Sequence, residues 1–112
     1  MYGMNAFNPN LYGEGAFRPP LQYACAKAAL IHLTKCLAVQ FAPQKIAVNC
    51  VTYGGVEGRV DDEFKKRYAK LCPMGRMMSA DETVGAVDFL LSDKAAYMTG
   101  QNIVVDGGWG VW

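Results

Sequence analysis

Residues 22–56, QYACAKAALIHLTKCLAVQFAPQKIAVNCVTYGGV, pass from a helical pattern to an extended one across a single proline-containing turn. Ala, Leu and Lys supply helix propensity, and Leu30, Leu33, Leu37 and Phe41 recur at helical spacing. Pro43 stops the helix near Ala42, because it has no N–H to give and its ring collides with the preceding turn. Ile31, Ala38 and Val39 widen the apolar stripe beyond one contact face, which predicts a helix over 22–41 covered on two sides. Residues 46–52, IAVNCVT, are then short and β-branched and run into Gly54 and Gly55, the pattern of a buried strand leaving into a loop. Helix, tight turn and buried strand form the second half of a βαβ unit.

Outward from that unit the same alternation continues. Val60, Phe64, Tyr68 and Leu71 form one narrow stripe, and Asp61/Lys65, Asp62/Lys66 and Glu63/Arg67 offer i,i+4 pairs on the solvated side of a surface helix. Ser79 and Glu82 read as a capping box for a helix ending by about Ser92. Residues 101–109, QNIVVDGGW, read as a strand stopped by Gly107 and Gly108. Residues 1–20, rich in Gly, Asn, Pro and aromatics without period, read as an ordered loop. The class is α/β with a parallel sheet, about two strands and three to four helices in one unit spanning 1–112.

The composition narrows function. The 112 residues are 52% hydrophobic and carry a formal net charge of +1, which argues against disorder and removes the footprint of a nucleic-acid or anionic-membrane binder. Apolar runs are interrupted by His32, Lys35, Asn49 and Asp88, so no span of the roughly 20 residues a membrane requires is expected. No basic, apolar leader pattern opens the chain, so a cytoplasmic location is expected. Cys25, Cys36, Cys50 and Cys72 contain no C-x-x-C pair and His32 stands alone, so no metal site is predicted. Reduced, mostly buried thiols are the expectation, with a disulfide framework as the alternative. His32 is expected to be a half-buried core residue. Met74, Met77 and Met78 near Arg76 are expected to pack or to floor a pocket, and Trp109 and Trp112 to anchor a neighbouring helix or subunit.

Tyr23 and Lys27, four apart, set a phenol and an ammonium side by side on one helix face. A tyrosine alone is a poor acid or base at neutral pH. A cation about 4 Å away, at an effective dielectric of about 20, favours its charged form by up to about 4 kcal/mol before desolvation. The pair is a candidate proton donor, although the same spacing also arises by chance among six tyrosines.

YACAKAAL at the start of the helix, then NCVTYGGV, PMGRMM, FLLSD and MTGQNIVVDGGW occur in the order and spacing of the C-terminal half of a short-chain dehydrogenase/reductase. The resemblance covers residues 22–110. It implies the C-terminal half of a Rossmann-type doubly wound parallel sheet and hydride transfer between NAD or NADP and a secondary alcohol or ketone. In that family the tyrosine is the general acid/base, and the lysine holds the nicotinamide ribose and tunes the tyrosine. Those roles fall here on Tyr23 and Lys27. The family segment that lays backbone against the nicotinamide carboxamide falls on residues 49–56, with Tyr53, Gly54 and Val56 as the cofactor-binding candidates. Tyr53 stands where the family has proline, and Gly58 where a threonine is frequent. Gly54 and Gly55 could equally serve only to end the strand.

The glycine-rich phosphate turn, the acidic ribose-binding residue and the Asn-Ala-Gly segment are not among these 112 residues. The resemblance places the catalytic serine just upstream of Met1, so residues 1–20, with Tyr12, Phe17, Pro19 and Pro20, become the active-site loop. Enzymes acting on sugar-like precursors of bacterial nonulosonic acids are similar in this respect. The chain alone is therefore expected to be inactive. The alternatives are a non-catalytic, self-associating interaction module or the complementing half of a split enzyme. Expected partners are a second copy, through helix 22–41 and the C-terminal strand, or an N-terminal half-domain, with a small-molecule substrate once complemented.

Overall fold

The structure is a computed structural model describing residues 1–15 and 19–112; Phe17 of the expected active-site loop lies outside the described residues. Helix α1 (Leu21–Phe41) continues into a 3-10 turn (Ala42–Gln44), and Lys45, in the left-handed region at φ 59°, reverses the chain. Strand β1 (Cys50–Tyr53), helices α2 (Asp62–Leu71) and α3 (Val84–Leu91) and strand β2 (Asn102–Val105) follow. The two strands pair in parallel, from Cys50 opposite Asn102 to Tyr53 opposite Val105. This is the α/β arrangement with a parallel sheet that the sequence pattern predicts, and the partial Rossmann-type fold that the resemblance implies.

The ladder is shorter than the 46–52 run implied, because Asn49 interrupts it with its side chain. Its amide donates to Met98 O at 2.8 Å and its Oδ1 accepts from Gln101 N at 3.0 Å. Val48 likewise bonds the loop before β2, donating to Thr99 Oγ1 at 3.1 Å and accepting from Gly100 N at 2.7 Å. On the far side of β1 no strand pairs among the described residues. The alternation of a parallel ladder turns the polar groups of Val51 and Tyr53 to that edge, where the Tyr53 carbonyl accepts from the Met1 amino group at 2.9 Å.

The core sits away from α1. Leu11, Tyr68, Cys72, Met77 and Trp109 bury one another, with Phe64, Val60 and Tyr12 packed around them. The Tyr68 ring stacks on Trp109, centroids 4.4 Å apart, and its hydroxyl accepts the Gly55 N–H at 2.7 Å. Burial pushes the Tyr68 phenol above its usual range. Trp109 thus anchors against a helix of its own chain. Trp112 stays exposed and only its indole N–H is held, by the Leu71 carbonyl at 3.2 Å.

Several expectations fail on α1. Its only buried residues are Thr34 and Ala38, and Leu30, Leu33 and Val39 are exposed, so neither flank is covered. His32, Cys25 and Cys36 are exposed too, Cys50 is half-buried, and Cys72 alone of the four thiols is buried; all four are unpaired. The radius of gyration of 15.8 Å exceeds the roughly 13 Å of a compact domain this size, because α1 projects. Leu21–Gln44 is also long and apolar enough to cross a membrane by length and composition, contrary to the sequence expectation. Lys27 and Lys35 inside it would be costly in hydrocarbon.

The solvated helices differ in detail. Asp61 caps α2, its carboxylate accepting Phe64 N–H at 2.7 Å. The ion pairs of α2 are i,i+3, Asp62–Lys65 and Glu63–Lys66, not i,i+4, and Arg67 donates instead to the Leu11 carbonyl at 2.9 Å. The Ser79–Glu82 box forms by half: the Glu82 carboxylate accepts the Ser79 N–H and hydroxyl, while a 3-10 turn (Asp81–Thr83) precedes α3. The same carboxylate receives Arg76 bidentately at 2.6 and 2.7 Å, which together with the Ser79 donors holds its pKa down to about 2.

Tyr68→Ala should cost about 3–5 kcal/mol in denaturant unfolding, and Tyr68→Phe, which keeps the stack but orphans the Gly55 N–H, about 1–3 kcal/mol. Losses below about 1 kcal/mol for both would place the core elsewhere.

Candidate functional site

One turn of α1 brings Tyr23 and Lys27 together, with Lys27 Nζ 5.5 Å from the Tyr23 ring centroid, over its face. The ammonium therefore faces the ring. Both residues line a cleft of about 350 Å³ whose opposite wall is the β1 edge, including Thr52, Tyr53 and Gly54. Thr52 is itself fixed, donating to Asn102 Oδ1 at 2.7 Å. Gly3 closes one end of the cleft. A Cβ there would stand 2.6 Å from the Lys27 carbonyl carbon and 2.9 Å from Ala28 N, so only glycine lets this segment lie on the backbone of α1. Neither the Tyr23 hydroxyl nor the Lys27 ammonium has a polar partner among the described residues, and both heads are left to the cleft.

Tyr53, Gly54 and Val56 lie on the loop leaving β1. The Tyr53 hydroxyl donates to the Thr83 carbonyl at 2.5 Å, so the ring that stands where the family has proline braces the loop against the turn before α3. Gly54 and Gly55 are glycines for packing. A Cβ on Gly54 would lie 2.9 Å from Asp106 Cα, and one on Gly55 would lie 2.5 Å from the Tyr68 ring. Val56 bridges Met78 in parallel: Met78 N donates to Gly55 O at 2.9 Å and Glu57 N to Met78 O at 2.8 Å. In such a bridge the N–H and C=O of Val56 itself face the other way, and neither has a partner among the described residues.

A second cleft, of about 250 Å³, is lined by Tyr2, Tyr12, Tyr23, Tyr53, Val56 and Phe64, among others. Tyr23 belongs to the walls of both clefts, as do Met1, Tyr53 and Gly54; Lys27 lines the first alone, and Tyr2, Tyr12 and Phe64 the second alone. A third cavity, about 90 Å³ and apolar, lies behind Gly54 between Met77 and Val105 and contains neither Tyr23 nor Lys27. Of the three methionines, Met77 packs in the core, Met78 is half-buried and Met74 is exposed.

Sequence reasoning missed three features of this part of the fold. The Asn49 clip was hidden inside an apparent strand. The contact of Gly3 with Lys27 joins residues far apart in the chain, and its one trace is the glycine itself. The Tyr2 and Tyr12 hydroxyls meet at 2.6 Å across a loop with no period to betray the pairing.

The chain is similar to proteins of one family. The family described as enoyl-(acyl carrier protein) reductase matches residues 11–110. The post-translational flagellin modification protein A of Campylobacter coli is 34% identical over 110 residues, covering 96% of this chain and 43% of that protein. The 3-oxoacyl-(acyl-carrier-protein) reductase of Aggregatibacter actinomycetemcomitans is 42% identical over 93 residues, 81% of this chain and 38% of the enzyme. A crystal structure of a short-chain dehydrogenase from Leptospira borgpetersenii with bound NAD+ superposes with a TM-score of 0.88 at 39% identity, over 96% of this chain and 41% of that one. The chain thus spans about two fifths of the length of the proteins it matches. With a family match across nearly all of its residues and the same backbone path, the chain belongs to the short-chain dehydrogenase/reductase family.

Proposed function

We propose that these residues supply the acid/base half of an oxidoreductase site that moves a hydride between NAD or NADP and a secondary alcohol or ketone. The observation that carries this is Tyr23 on the wall shared by two clefts, one of them also holding Lys27. The donor set suits the nicotinamide end of a dinucleotide. Lys27 offers an ammonium to ribose hydroxyls, and the Val56 N–H and C=O offer one donor and one acceptor, the complement of a carboxamide. The bound cofactor would supply or accept the hydride. Tyr23 would give its proton to the carbonyl oxygen in reduction and take it back in oxidation, while Lys27 stabilises the phenolate left behind. Tyr53 acts through its brace to Thr83 and Gly54 through close packing, each shaping the loop that presents Val56.

A sugar-like substrate, of the sort handled in bacterial nonulosonic-acid synthesis, is the finer reading; the flagellin-modification relative supports it. These 112 residues contain no glycine turn for a pyrophosphate. By themselves they should turn over no substrate.

The exposed apolar flanks of α1 and α3 and the unpaired edge of β1 favour a second element of the proposal, a partner. Leu30, Leu33 and Val39 on α1, with Val84, Val87 and Leu91 on α3, would be covered by a second copy or by an N-terminal half-domain. In light scattering the chain should run as a dimer or larger, and Leu30→Glu or Leu33→Glu should shift it towards monomer. A monodisperse particle near 12.2 kDa at micromolar concentration would contradict this.

The catalytic reading is tested by splicing this chain in place of the matching segment of the Leptospira dehydrogenase. Tyr23→Phe should then lower turnover by at least about 100-fold with NADH binding retained, whereas Lys27→Ala should weaken both. Small, equal losses from the two changes would return the pair to coincidence.

A further inference from the structure

Helix α1 carries three side chains that the mechanism above leaves unused. Cys25, His32 and Cys36 are its only Cys, His, Asp or Glu residues, and all three are exposed. At about 100° per residue they fall within about 40° of one another around the helix axis. That face points away from the sheet, because the buried Thr34 and Ala38 lie on the opposite side of the helix. His32 and Cys36 are one turn apart, close enough to grip one ion between an imidazole and a thiolate. Cys25 stands about 16 Å from Cys36 along the axis, so it cannot join them. The described residues accordingly gather no three metal-ligating side chains within one chain. A further protein ligand has to come from another molecule.

We propose that His32 and Cys36 of one copy and Cys25 of a second copy together bind a zinc-class divalent cation, with water in the fourth position. The inference rests on the partner element proposed above and names the second copy as what covers this face. Layering supports that choice. An N-terminal half-domain would add strands beside β1 and helices beside α1 in the existing layers, covering the flanks of α1 and not its outermost side. A two-fold contact pairs residue i with j and j with i. With the axis midway between residues 30 and 31, Cys25 faces Cys36 at both ends of the contact, so the pair of copies holds two equivalent sites. Ala29 then faces His32, small against large, and Ala28 and Ala29 near the axis let the helices approach closely. Lys35, beside the stripe, falls level with Ala26 and not with another lysine. Two thiolates and an imidazole suit zinc, whereas magnesium and calcium take oxygen ligands. Because both chains supply ligands, binding of the ion and pairing of the copies stabilise each other.

Cobalt(II), which substitutes for zinc and reports its ligands by colour, tests this on the 112-residue chain under a phosphine reductant. A single equivalent per chain should raise a thiolate-to-cobalt charge-transfer band and hold the dimer together on dilution in light scattering, and zinc should bleach the band. His32→Ala and Cys36→Ser should each weaken cobalt binding by at least about 10-fold, the loss that even the outer partners of a ligand cause. Cys25→Ser should remove about half of the band, one thiolate of two, and end the effect of cobalt on the dimer. Cys50→Ser, at a half-buried thiol on β1, should leave both readouts unchanged. Circular dichroism of the four variants reports that the fold is kept. No charge-transfer band, a band indifferent to His32 or Cys36, or a band kept whole by Cys25→Ser would overturn the proposal. A dimer that forms without binding cobalt would remove this inference alone. A chain that stays monomeric, with cobalt or without it, would remove the second copy and this inference with it. Tyr23 and Lys27 are untouched by these substitutions, so the oxidoreductase reading stands or falls separately.

Discussion

The contact of the Tyr68 ring with Gly55 holds the rest of the structure in place. The ring fills the position of a Gly55 side chain, its hydroxyl takes the Gly55 N–H, and its face lies on Trp109. Three segments distant in sequence meet there: the exit of β1, helix α2 and the turn after β2. With the exit of β1 fixed, Val56 lies beside Met78 with its own polar groups turned outward, and Gly54 forms part of the wall facing Tyr23. A site assembled from a helix start and a strand end needs such a brace, because neither element touches the other closely on its own.

Tyr23 draws its chemical meaning from standing between two unlike spaces. One side offers Lys27 and a strand edge rich in backbone polar groups; the other is lined mainly by rings and hydroxyls, and Met1 borders both. Reactants that must exchange a hydride and a proton need such adjacency, since effective catalysis requires the reacting atoms to be held within about 3–3.5 Å.

The order of elements was legible because period and punctuation are local properties. Leu30, Leu33 and Leu37 repeat with the helix, Pro43 ends it, and the two glycines mark the loop. The Tyr23/Lys27 pair was legible for the same reason, being one turn apart. Burial was not legible in the same way. A stripe as broad as that of α1 signals apolar surface, yet nothing among the described residues covers it, so His32 is exposed instead of half-buried and Cys36 instead of buried. Asn49 looked like part of a strand because an amide that mimics backbone leaves no trace in hydrophobic pattern. The i,i+4 pairs predicted for α2 gave way to i,i+3 pairs once Asp61 served as the cap and Arg67 reached Leu11.

The central claim is that the cleft between α1 and the β1 edge, together with the loop that continues β1 to Val56, is the nicotinamide end of a dinucleotide site. An amide-detected NMR titration of the 112-residue chain with NADH tests it most directly. Weak, millimolar-range binding is predicted, with shifts concentrated at Tyr23, Lys27, Gly54 and Val56, because the pyrophosphate finds no helix N-terminus here. Shifts that leave those four residues unmoved, or low-micromolar binding centred elsewhere, would contradict the account.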